Sequence, residues 1–198
     1  KKILPDLLGK EERIIHYSRC MKLISRELIL DNMQYTNEKL VMGEDAGIMI
    51  PAIWDAEYIV IMEDAFYYHY RFVDASMVHK YNVKMYEKVE LLYETLLKTI
   101  QKKVLEEKNK EELLMNLKKE YVFLLFFCLK NELRGPKETY IKRIQEMIQK
   151  ANKEKGLEEI QVEVNSKANK LLYYILKHPK KLPILFGRAV IGLFDKMQ

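Results

Sequence analysis

The stretch Leu114 to Leu129, LMNLKKEYVFLLFFCL, decides the fold. Its apolar run from Tyr121 to Leu129 is too short to cross a bilayer, which takes about 20 residues, and it suits a buried helix. Leu114, Leu117, Tyr121, Leu125, Cys128 and Leu129 recur at helical spacing. The same period runs upstream through Val89, Leu92, Leu96, Ile100 and Val104. Downstream, Gly135-Pro136 ends the helix, and Pro136 can open the next, with Tyr140, Ile144, Met147 and Ile148 facing inward. Asn152 to Gly156 is a stop signal, and the alternation of Ile160, Val162 and Val164 predicts a short extended piece. Asn165 or Ser166 can cap a helix that carries Ala168, Leu171, Leu172, Ile175 and Leu176 and ends at Pro179. Leu185, Phe186, Ala189, Val190, Leu193 and Phe194 form a last amphipathic helix. Residues 81–198 therefore read as a helical domain with a basic amphipathic tail.

Working back from residue 80, the texture changes. Ile3, Leu4, Leu7 and Leu8 share a helical face that stops at Gly9. Met21 to Ile29 reads as a short element, and Asn32 to Asn37 as a polar loop. Gly43 breaks the chain, and a helix can begin at Glu44 or Asp45. Carboxylates suit that place because the unpaired N–H groups and the helix dipole favour negative charge. Ile48, Ile50, Ile53 and Trp54 give this helix an apolar body, and Pro51 should kink it or mark its true start. Glu57 to Met62, EYIVIM, is β-branched and of strand length; Ala65 to Arg71, AFYYHYR, is aromatic and strand-like. The expected fold class is mainly α with a small β component.

Composition narrows the function classes. Hydrophobic residues are 48% and charged residues 32% of the 198, a globular balance that excludes disorder. Cys20 and Cys128 lack metal-ligand or CxxC spacing and read as reduced, buried thiols of a cytoplasmic protein. His16, His79 and His178 have no ligand-like company, and His69 reads as structural. Residues 1–80 hold 10 Lys/Arg against 13 Asp/Glu; residues 81–198 hold 24 against 16. Lys177, Lys180, Lys181 and Arg188, beside Leu185, Phe186, Val190 and Phe194, suit either an anionic membrane surface or packing against the preceding helices. The basic residues are scattered and follow no nucleic-acid-binding motif, so no nucleic-acid partner is expected.

Several separated motifs carry a resemblance. Lys22-Leu23, Arg26-Glu27-Leu28-Ile29, Gly43-Glu44-Asp45, Tyr58-Ile59-Val60-Ile61, Tyr67-Tyr68-His69-Tyr70-Arg71 and Ser76-Met77 together resemble the second half of a glycosyltransferase family 2 enzyme. Those bacterial GT-A-fold enzymes build cell-surface polysaccharides. The resemblance covers roughly residues 15–80. It implies that residues 1–80 are the acceptor-side end of a GT-A domain and that 81–198 are its helical tail. It makes Asp45 the general base that takes the proton from an acceptor hydroxyl, with Glu44 orienting the acceptor or Asp45. Gly43, Arg71 and Trp54 become substrate-binding residues: Arg71 meets the leaving diphosphate or a local carboxylate, and Trp54 stacks on a sugar or joins the core. The implied partners are a nucleotide-sugar donor and a saccharide or lipid-linked acceptor. A divalent metal, Mn or Mg, is implied for the full-length enzyme, with its ligands outside this chain, because neither an Asp-x-Asp motif nor a glycine-rich phosphate loop occurs here. The donor-binding half is then expected to be missing, and this segment is not expected to turn over alone. Cytoplasmic location, peripheral at the inner face of a membrane, follows from the same reading, as does an oligomer through the helical domain. The competing reading is a non-catalytic helical interaction or membrane-docking module, in which Glu44-Asp45 is only a helix cap.

Overall fold

The computed structural model describes residues 4–62, 68–69, 80–103 and 107–197. The helices are α1 (Leu4–Leu7), α2 (Arg26–Asn32), α3 (Glu44–Asp55), α4 (Met85–Lys103), α5 (Glu107–Leu133), α6 (Tyr140–Lys155), α7 (Lys167–Lys177) and α8 (Lys181–Met197). Among the described residues there is no strand. The mainly α expectation holds, and the β component is not seen.

The reason is plain in Glu57 to Met62. A β-branched run becomes a strand only when a neighbour takes its backbone N–H and C=O groups. Among the described residues no such neighbour exists. The segment runs irregularly and stays in solvent, with Tyr58 88% and Val60 84% exposed. The second expected strand, Ala65 to Arg71, lies outside the described residues except for Tyr68 and His69, which are exposed and irregular.

Helix α5 is the hub, packed by α1, α4, α6, α7 and α8. The spacing read from the sequence is the spacing observed: Leu117, Tyr121, Leu125, Cys128 and Leu129 are wholly buried. They meet Val89, Leu92, Leu96 and Ile100 of α4, Ile144 and Ile148 of α6, Ile175 of α7 and Ile184 of α8 in one core, which Leu7, Leu8, Ala46 and Ile50 extend into the first 80 residues. Each such side chain contributes roughly 1.5–3 kcal/mol by leaving water. Val122, Leu124 and Phe126 are buried as well, so α5 is apolar nearly all round there, as a central helix must be.

Local signals set the ends. Ser25 and Ser166 cap α2 and α7, their Oγ atoms accepting from the amides of Leu28 (3.1 Å) and Asn169 (3.2 Å). Gly156, at φ +64°, ends α6. Ile160 is buried and Val162 and Val164 pack against the core, while Gln161 and Glu163 face solvent. That alternation is the one read from the sequence, without a strand to carry it. Helix α6 begins at Tyr140 rather than at Pro136, whose carbonyl instead accepts from Thr139 and Tyr140 in a tight turn. Pro51 neither opens α3 nor ends it; it lies in the interior of a helix that starts at Glu44. Among the described residues no helix is long and apolar enough to cross a membrane.

Candidate functional site

The site is assembled from a strap, residues 9–20, and the start of α3. The strap is irregular and is fastened by α5 and α7. Glu120 of α5, 1% exposed, accepts from the Gly9 amide (2.8 Å) and the Tyr17 hydroxyl (2.9 Å), and it pairs with the Arg13 guanidinium. Burial, reinforced by the Glu120 charge, pushes the Tyr17 phenol far above its ordinary pKa, so it stays a hydrogen-bond donor. At the other fastening, Glu11 accepts from the Ser166 amide (3.2 Å) and the Asn169 side-chain amide (2.8 Å) at the N-terminus of α7.

The strap delivers Arg19 to α3. Its backbone N–H donates to Asp45 Oδ2 at 3.2 Å, its Nε donates to Asp45 Oδ1, and its Nη2 lies 3.8 Å from Glu44 Oε1. The hydrogen bond to Asp45 and that carboxylate's charge raise the Arg19 pKa further. Asp45 is gripped on one side and open on the other, its side chain 29% exposed. Gly43 makes the geometry possible. It sits at φ +73°, where an L side chain is strained, and an added Cβ would collide with Leu92 of α4. The chain therefore turns against α4 and presents Glu44 and Asp45 in the first turn of α3, where the helix dipole favours their charge.

A third element comes back to the same place. The Cys20 thiol is held below its ordinary pKa, first by a hydrogen bond with Tyr68 and then by one with Ser18. Lys22 donates to the Ser18 carbonyl at 2.8 Å, and burial lowers its pKa. Cys20 is exposed, contrary to the expected buried thiol; Cys128 is buried as expected, and burial raises its pKa.

A scan against known protein families, a search of curated proteins and a search of solved structures each returned no match.

The predicted residues divide accordingly. Gly43, Glu44 and Asp45 are contiguous and form the site. Trp54 is on α3 too, but nine residues from Asp45, or about 13 Å along the axis, and it packs against the core. Of the two roles weighed for it, the packing one is where it sits. Arg71 lies outside the described residues. His69 is exposed and irregular, so no strand sets its facing. Arg19 is the residue the sequence reading missed. One signal was available: the carboxylates of Glu44 and Asp45 have only Gly47, Ile48 and Met49 at the next helical turn, with no local cation. A distant partner was therefore needed, although nothing said which.

Among the described residues no group of three or more His, Cys, Asp or Glu side chains is placed to hold a metal ion. Glu44 and Asp45 do not fit one either, since the Arg19 guanidinium occupies the place between them where a cation would sit. A groove of about 860 Å³ lies elsewhere, between α4, α5 and the end of α6, lined by Tyr93, Leu97, Lys118, Lys155 and Ile160 among others. None of the predicted site residues lines it. Its Lys155 is already paired with Glu90 at 2.9 Å and lies over the rings of Tyr93 and Tyr121.

Proposed function

We propose that this chain is the acceptor-side part of an inverting, GT-A-fold glycosyltransferase, with Asp45 as its general base. The observation that carries the reading is the Asp45 carboxylate itself: fixed by Arg19 from 26 residues away, set at a helix N-terminus, and still open to solvent on one side. A base must be ionised and oriented before its substrate arrives. Arg19 does both. Each carboxylate oxygen has two lone pairs, so accepting from Arg19 leaves room for an acceptor hydroxyl. That hydroxyl donates to Asp45 and loses its proton to it as the oxygen bonds to the anomeric carbon. The bond from that carbon to the nucleotide diphosphate breaks on the opposite face, and the configuration inverts. Glu44, reached more loosely by Arg19, is free to turn toward the acceptor.

The exposed EYIVIM segment supports the same reading. An apolar, β-branched stretch that stays in water is what a strand looks like without its sheet, and a GT-A domain would supply one. The resemblance of the ordered motifs supplies the donor class, a nucleotide sugar, and the acceptor class, a saccharide or lipid-linked hydroxyl.

Asp45→Asn tests the assignment in a chain that carries a donor-binding half. Transfer should be abolished while nucleotide-sugar binding, followed by calorimetry, is kept. Retained turnover would remove Asp45 from the chemistry and leave Glu44-Asp45 as a helix cap, the reading in which this is a non-catalytic helical module.

A further inference from the structure

Helix α8 has two apolar faces, and only one is used. Ile184, Gly187 and Ile191 recur at helical spacing and pack inward. Gly187 lets α7 approach closely, since an added Cβ would lie 2.6 Å from Ile175 Cδ1. At 100° per residue, Leu182, Phe186, Ala189 and Leu193 fall on the opposite side, flanked by Leu185. They are in solvent: Leu182 is 78%, Phe186 61% and Leu193 63% exposed. An ordinary surface helix would carry polar residues there. The face is also held in place, because Gln145 of α6 donates to the Pro179 carbonyl at 2.9 Å, and Arg134, just past the end of α5, grips Asp195 at 2.7 and 2.9 Å.

The charge carried by this part of the chain has one sign. No Asp or Glu occurs between Glu163 and Asp195, a span with Lys167, Lys170, Lys177, Lys180, Lys181 and Arg188. Two of these are committed internally. Lys177 donates to the carbonyls of Leu157, Glu158 and Ile160, and Arg188 donates to that of Gly135 and lies over the Tyr140 ring. Lys167, Lys170, Lys180 and Lys181 remain exposed. Lys180 and Lys181 stand at the positive end of the α8 dipole, where cations disfavour the helix. A partner must therefore cover an apolar stripe and neutralise positive charge. A second copy of this chain would set like charges against each other; a lipid surface with anionic headgroups meets both demands.

We propose that α8 lies in the plane of an anionic membrane surface. Leu182, Leu185, Phe186 and Leu193 enter the boundary between headgroups and acyl chains, and Lys180 and Lys181 meet lipid phosphates. This assignment does not depend on Asp45.

Co-sedimentation of the 198-residue chain with phosphatidylcholine vesicles, with and without phosphatidylglycerol, tests it. The chain should pellet with the anionic vesicles, and less as salt is raised. Phe186→Ser with Leu193→Ser should lower the partition coefficient by more than about tenfold. Lys180→Gln with Lys181→Gln should lower it by roughly twenty-five-fold at low salt, about five-fold for each lysine. Circular dichroism checks that both variants keep the helical fold; should the apolar pair disturb it, the lysine pair decides. Absence of binding at low salt, equal binding to neutral vesicles, or unchanged binding by the variants would overturn the proposal. So would light scattering that shows a dimer abolished by Phe186→Ser with Leu193→Ser, because the face would then belong to a second copy.

Discussion

Two regions of this molecule hold carboxylates against arginine, and they do it in opposite ways. On α5, Glu120 and Glu132 are 1% and 3% exposed. Glu120 takes Arg13, Tyr17 and the Gly9 amide, and Glu132 takes Arg143 at 2.7 and 3.0 Å. Between them Asn131 grips the Asn82 backbone at both its N–H and its C=O. At the start of α3, Asp45 meets Arg19 near the surface, with the Arg19 side chain 53% and the Asp45 side chain 29% exposed. The first arrangement has been taken out of solvent and must stay satisfied, or the desolvation cost returns in full. The second is screened and worth little to the fold. Ion pairs of the same chemistry thus divide between holding the chain and leaving a group available, and burial decides which.

Glu120→Ala is the strongest way to break that contrast. It leaves the Arg13 guanidinium, 9% exposed, with an uncompensated charge. The expected cost is about 3–5 kcal/mol, read as a lower midpoint in urea unfolding. A cost below about 1 kcal/mol would place Glu120 in the same class as Asp45 and erase the distinction. The loss should also reach the site, because Gly9, Arg13 and Tyr17 are the fastenings that carry Arg19 to α3.

The same contrast explains what the sequence could and could not disclose. The apolar face of α5 was legible because a helix writes its buried side at a fixed period. Ser166 and Gly156 were legible because caps act within a turn of the residues they serve. Glu120 was not: it looks like any charged residue on a helix until partners more than a hundred residues away are folded onto it. Arg19 was hidden for the same reason. EYIVIM misled because β-propensity measures fit to a neighbouring strand, and the described residues hold no such neighbour. Gly43-Glu44-Asp45 was half legible: helix start and carboxylate placement are local, but the grip on Asp45 is not. Trp54 could be read as ligand or core from its spacing, and only the packing of α3 shows which place it takes.

Glu11 sharpens the comparison through pH. Burial pulls its carboxyl up, but the hydrogen bonds from Ser166, Asn165 and Asn169 outweigh that and leave its pKa below the ordinary value. A carboxylate with a depressed folded pKa contributes stability that is fully present above the unfolded value, about 4.3, and is lost as pH falls through the lower folded value. Glu11→Gln should flatten the acid limb of the stability–pH curve below about pH 4.3 and cost roughly 0.3–1 kcal/mol at neutral pH, as befits a carboxylate at a helix N-terminus. Thermal unfolding across that window, run beside the wild type, measures both. An unchanged acid limb would mean that the strap is held by Glu120 alone.

Arg19→Ala should have the smallest effect on stability and the most informative one. The pair it breaks is exposed, so the fold should lose only a few tenths of a kcal/mol, within the error of most denaturation curves. Chemical shifts should nevertheless move at Glu44, Asp45 and the first turn of α3, because the carboxylate loses its side-chain partner and keeps only the backbone N–H of residue 19. In a chain that carries a donor-binding half, transfer should fall by about a hundredfold, the usual consequence of a misplaced catalytic group. Arg19→Lys should recover little of it, since an ammonium cannot reproduce the directed Nε–H bond to Asp45. A large stability loss with unchanged turnover would reverse the division drawn between the two regions. The α3 pair would then be a structural clamp like the one on α5, only less deeply buried.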